Sequence, residues 1–152
     1  MGRFDLGGMT VDLYTTHIAA GRKPDSRRAK VVQGNELIAF VRENSPPDHT
    51  VIFTGDFNMR PSRGPEDKEE NKDEPKVFVF DKIVAELGLR DASDEINGPV
   101  GTEIDRILFR PGTGVTMTTL SWQHDDPIFY DEAGEPLSDH EPVFVRFRME
   151  RP

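Results

Sequence analysis

Thr50–Thr54, TVIFT, carries apolar or β-branched side chains on both faces of any strand it forms. Such a strand is stable only where both faces are covered, so it belongs inside a layered structure rather than at a solvated edge. Val11–His17, VDLYTTH, alternates Val11, Leu13 and Thr15 against Asp12, Tyr14 and Thr16, the period of two of a second strand. On that pattern Asp12 is expected to face solvent. Between the two, Val31, Leu37, Ile38 and Val41 recur at helical spacing, with Asp25 or Ser26 as the expected N-cap and Pro46 and Pro47 closing the exit. A helix is therefore predicted from about Ser26 to Arg42. Strand, helix, strand predicts an α/β (α+β) layer.

The remainder extends that layer. A short helix is predicted over Val79–Leu87, then strands over Glu103–Phe109 and Val115–Leu120 as a pair joined through RPGTG, and a last strand in PVFVRFR. The charged, proline-containing run Arg60–Pro75 reads as a solvated loop. With 152 residues, no internal repeat and no composition break, the chain is expected to be one domain, 1–152. A domain of that size buries roughly 70% of its unfolded surface, enough for a true core.

Charge and composition exclude several function classes. The net charge of −9 disfavours nonspecific grip on nucleic acid, which needs clustered Lys and Arg; Arg60, Arg63, Arg106 and Arg110 are candidates for a basic groove. No apolar run approaches the length of a membrane span, and no secretory signal opens the sequence, so a cytoplasmic location is expected unless an export signal lies upstream. Zero cysteines remove disulfides, thiolate metal sites and cysteine nucleophiles.

Polar singletons fall at strand edges: His17 after the first strand, Asp56 and Asn58 after the second, Asp105 within EIDRIL, and Asp139 with His140 before the last. Taken singly, each is an ordinary turn residue or a structural histidine. Ligand sites in open α/β sheets gather where strand ends meet loops, and these six residues together suit phosphate ester hydrolysis. Asp56 can accept a proton from water, Asn58 can donate to a phosphate oxygen, and Asp139 can bind a hard divalent cation. A histidine kept cationic by a carboxylate can hold the same phosphate, and Asp105 is the candidate partner of His140. Asp56 and Asn58, two apart in an extended segment, share a face.

The ordered motifs TTHI, GDFN, EIDRIL and LSDHEPV, with QGNELIAFV between the first two, resemble the C-terminal half of the endonuclease/exonuclease/phosphatase superfamily, the deoxyribonuclease I-like fold. The wording GDFNMRP and GEPLSDHEPV looks nearest to its neutral sphingomyelinase-like branch. The resemblance implies half of a four-layer α/β/β/α sandwich, a mixed, mainly antiparallel sheet with helices on one side. It implies Mg²⁺- or Mn²⁺-dependent hydrolysis of a phosphodiester in a phospholipid head group or nucleic acid. Asp56 is then the base, Asn58 its phosphate-contacting neighbour, His140 the phosphate-binding histidine oriented by Asp105, and His17 a residue near the scissile phosphate. Asp139 and Asp56 are the implied metal carboxylates.

The superfamily pattern also includes, before the TH strand, a half with an Asn motif and a Glu that is the principal magnesium ligand; only sixteen residues precede His17, and none matches. The expectation is a domain lacking its N-terminal half, active when completed by that half. The alternatives are a natural half that assembles with a second chain and an inactive domain that binds a phosphate-bearing ligand or a protein partner. Val51, Ile52 and Phe53, with Val143, Val145 and Phe147, are expected to leave an apolar sheet face that is covered by the missing half or by a homodimer.

Overall fold

The computed structural model describes residues 1–61, 75–99, 103–124 and 126–151; most of the charged run and Arg63 lie outside them. The strands are β1 (Gly2–Leu6), β2 (Met9–His17), β3 (Thr50–Asp56), β4 (Arg90–Asp91), β5 (Asp105–Arg110), β6 (Thr116–His124) and β7 (Val143–Glu150). The helices are α1 (Pro24–Asn44), α2 (Pro75–Leu87) and α3 (Ala92–Asn97). A mixed sheet runs β1-β2-β3-β5-β4, parallel only between β2 and β3, and β6 and β7 form a second, antiparallel sheet.

β3 is the buried middle strand its sequence requires. Val51 and Phe53 are fully buried on one face, where Tyr14, Ile38, Val41, Phe80, Ile83 and Leu108 close a core beneath α1 and α2. A Cβ on Gly34 would lie 2.4 Å from Val79 Cγ1, so glycine sets how closely those two helices approach. On the other face Ile52 and Phe109 meet the second sheet through Met117, Trp122, Val145 and Phe147. α1 and α2, the mixed sheet and the small sheet are stacked in that order, with α3 lying against β5 and β6.

Four expectations change. The α1 helix begins at Pro24 with Lys23 at the N-cap, because proline at the first helical position is preorganised and gives up only an N–H that would be orphaned there. β5 and β6 do not pair with each other; β5 pairs with β3 and β4 while β6 crosses to β7, so the RPGTG turn joins two sheets. Asp12 is fully buried, not solvent-facing: Arg3 Nε and Nη2 donate to it at 2.6 and 3.0 Å, Ser45 Oγ at 2.6 Å and His49 Nδ1 at 2.8 Å. Helix packing, not solvent, covers that face of β2, and a charge there persists because it is paired.

The fourth concerns the arginines. Arg106 is buried, bonded to the Asp91 carboxylate and the Glu103 carbonyl, and Arg110 donates to the Ser45 and Pro46 carbonyls at the far end of β5. Neither contributes to a basic groove, because both satisfy groups inside the chain.

Candidate active site

Strand register assembles the site. His17 on β2 pairs with Asp56 on β3, and Asp56 with Asp105 on β5, so three polar residues form one row across the end of the sheet. Register partners project to the same face, here the one opposite α1 and α2. Gly55, just before Asp56, has φ of 135°, and a Cβ there would stand 2.0 Å from the Thr16 carbonyl oxygen. Only glycine allows the two strands to stay this close as they reach the row.

The loop after β3 is locked on itself. Ile18 N donates to the Asp56 carbonyl and Phe57 N to the Ile104 carbonyl, both at 2.9 Å. Asp56 Oδ1 accepts from Asn58 N at 2.6 Å, an Asx turn that holds Asn58 at φ of 48°, a left-handed conformation asparagine tolerates. Asn58 Nδ2 donates to Asp56 Oδ2 at 2.8 Å and to the Ile18 carbonyl at 2.9 Å. The buried Lys30 ammonium donates to the Asn58 carbonyl at 2.9 Å.

His140 reaches the row from the loop before β7. Its Nδ1 lies 2.7 Å from Asp105 Oδ2, the pairing expected from sequence, and Ser138 Oγ accepts from its backbone N–H at 3.1 Å. The Asp105 hydrogen bond and charge, with smaller contributions from Asp56 and Asp139, hold the imidazole above its ordinary pKa against a small opposing effect of burial. His17 Nε2 stands 3.4 Å from Asp56 Oδ2, with its side chain 74% exposed.

Among the described residues, Asp56, Asp105 and His140 offer ligand atoms all within 4.8 Å of one another. Asp56 and Asp105 offer the carboxylate oxygens a hard divalent cation takes, while His140, protonated through its bond to Asp105, stands beside them as a charge rather than a ligand. Asp139 lines the adjoining cavity of about 360 Å³ beside Asp105 and His140 but stands outside the close trio. One pair was missed from sequence: His124 Nδ1, 2.5 Å from Glu141 Oε2, lines the same cavity. Its signal was hidden, since the strand expected to stop at Leu120 runs on to His124, which in sequence sits inside the polar run QHDD.

No protein-family model matches the chain. A sphingomyelinase of Mycobacterium tuberculosis is 34% identical over 93% of the chain, which spans 28% of that relative's length. Among solved structures, a humanized TDP2 of D. rerio superposes with a TM-score of 0.64 at 20% identity, covering 96% of the chain and 56% of its own. The endonuclease/exonuclease/phosphatase of Beutenbergia cavernae gives 0.63 at 16% identity, covering 97% and 38%. With the histidine, aspartate and SDH motifs meeting on one sheet end, the chain has the fold of the endonuclease/exonuclease/phosphatase proteins and is similar in sequence to a sphingomyelinase.

Proposed function

We propose that the row His17, Asp56, Asp105, joined by His140, is the phosphate-side machinery of a phosphodiesterase that uses activated water. The observation that supports the reading is that strand register sets the nearly buried Asp56 beside Asp105 at one sheet end, where His140, from the loop before β7, bonds to Asp105. Asp56 takes a proton from water, the water oxygen bonds to phosphorus, and the P–O ester bond opposite breaks as the leaving oxygen gains a proton. Asn58 holds the Asp56 carboxylate in position, and a phosphate oxygen competes for the same amide hydrogen. His140, kept cationic by Asp105, faces the charge that develops on the phosphoryl oxygens, with His17 at the exposed end of the row.

Magnesium or manganese would be held by Asp56 and Asp105, with Asp139 within the adjoining cavity. A bound ion supplies Lewis-acid charge stabilisation for the phosphoryl group. The substrate class we favour is a phospholipid head group over nucleic acid: the relative of highest identity given above is a sphingomyelinase, and Arg106 and Arg110 are engaged inside the chain. The family resemblance assigns the principal magnesium ligand to an N-terminal half, which we propose completes the site.

Hydrolysis of bis-p-nitrophenyl phosphate tests the reading, on the chain alone and on the chain joined to an N-terminal half of the fold. Asp56→Asn should cost at least about a hundredfold in rate, the scale of a positioned base. Chelation should abolish turnover. Rates indifferent to both changes would overturn the assignment, and phosphate binding without any turnover would favour the inactive binding domain instead.

A further inference from the structure

Hydrolysis by Asp56 and its neighbours still needs a proton donor, because the leaving oxygen must gain a proton as the P–O ester bond breaks. In an in-line displacement that oxygen stands opposite the attacking water. His17, 3.4 Å from Asp56 Oδ2, lies on the side of the base. The cavity of about 360 Å³ beside His140 lies away from Asp56, which does not line it. A phosphate held at His140 thus has the base on one side and this cavity on the other. Among the described residues, the titratable side chains that line the cavity are four carboxylates and two imidazoles, His124 and His140. A carboxyl group ordinarily has no proton to give near neutral pH, and His140 is committed to the phosphoryl charge. His124 remains.

The fold holds this ring in place. His124 closes the β6–β7 ladder opposite Val143, two residues after Glu141, whose Oε2 accepts from His124 Nδ1 at 2.5 Å. With Nδ1 tied to a carboxylate, Nε2 is the nitrogen left to exchange a proton with a ligand. Trp122 shares a strand face with His124, and the two rings pack with centroids 4.9 Å apart. Trp122 in turn packs against the buried cluster of Phe109 and Met117. His140 has the same construction, its Nδ1 held by Asp105, so two carboxylate-held imidazoles line one cavity. The side chains of His124 and Glu141 are 44% and 63% exposed, and a pair so exposed contributes little to stability. Folding alone does not account for it.

The geometry points to His124, oriented by Glu141, as the general acid that protonates the leaving oxygen, a role that rests on the hydrolase reading above and completes its proton balance. As water loses its proton to Asp56 and bonds to phosphorus, the electron pair of the breaking P–O bond passes to the ester oxygen. That oxygen takes the proton from His124 Nε2 and departs as the alcohol, and the neutral imidazole regains a proton from solvent. Glu141 is the positioning residue, fixing which nitrogen faces the ester.

The test compares two diesters on the chain joined to an N-terminal half of the fold: bis-p-nitrophenyl phosphate, whose leaving group departs without a proton, and diphenyl phosphate, whose leaving group needs one. His124→Gln should slow the second at least about tenfold more than the first, a fraction of the roughly 10²–10⁴ that a positioned acid contributes. Glu141→Gln, which keeps the side chain's shape and removes its charge, should show the same preference more weakly, so the test stays informative were the first variant to lose its fold. Equal slowing of both diesters in both variants, or none, would overturn the inference. Asp56→Asn should slow the two diesters alike, so a failure of the hydrolase reading is seen separately. Binding gives a readout without turnover: in the metal-free chain, diphenyl phosphate should move the ring-proton NMR signals of His124 and His140 together. Movement of His140 alone would overturn the inference and leave the hydrolase reading standing, and movement of neither would overturn both.

Discussion

Asp56 is held by more of its surroundings than any other member of the row: two hydrogen bonds from Asn58 fix its oxygens, and its backbone is bonded to both flanking segments. His140, by contrast, depends on one partner. Its raised pKa comes chiefly from Asp105, so the imidazolium persists to higher pH in the folded chain than in an unpaired histidine. In the metal-free protein, Asp105→Asn should move the His140 ring-proton NMR titration to lower pH. A titration that does not move would show that Asp105 does not govern the charge. That His17, Asp56, Asp105 and His140 meet was legible at this scale, because they are polar residues at or near strand ends, whereas Asp139 stands outside the close trio. Asp12 was not: its alternation is the same whether water or a helix covers that face, and only its distant partners Arg3, Ser45 and His49 decide.

Those partners make Asp12 a joint between elements, since Arg3 lies on β1, Ser45 just past α1 and His49 before β3. Burial pushes the carboxyl upward, but the hydrogen bonds from Arg3, Ser45 and His49 outweigh it and bring the pKa down to about 2. A carboxyl lowered from 3.8 to about 2 contributes roughly 2 kcal/mol of stability at neutral pH. That contribution is complete above the unfolded value and is lost as pH falls through the folded one. Asp12→Asn should therefore lower the urea unfolding free energy by about 2 kcal/mol at pH 7, with the difference from the parent chain narrowing between about pH 4 and pH 2. A gap of constant size at every pH would mean that the charge is not what holds the joint. The five longer strands and the two long helices were legible from periodicity, but the short edge strands β1 and β4 were not, nor which strands pair. The turn after β5 reads as a hairpin, and only the two-sided burial of Ile52 and Phe109 reveals why β6 must cross to a second layer.

At the scale of the molecule, the apolar surface expected from Val51 and Phe53 is covered by the helices, and Val145 and Phe147 are partly covered within the second sheet. The uncovered face lies elsewhere. β6 and β7 pack on β5 and α3, and toward the β1–β2 end of the mixed sheet large apolar side chains stay in water although Val11 between them is buried. There Phe4, Leu6 and Leu13 are 49, 50 and 37% exposed, and their register partners place all three on the face opposite the helices. β1 is also an edge strand with an unpaired row of backbone groups. A flat apolar face next to an open edge is a template for another sheet, and in a solution of this chain alone the sheet available is a second copy. We expect sedimentation at micromolar concentration to show reversible self-association. Phe4→Glu with Leu6→Lys, which charges the face without touching the core, should return the chain to a monomer. A parent chain that already sediments as one sharp monomer would show that this face is tolerated in water, and the double variant would then sediment no differently.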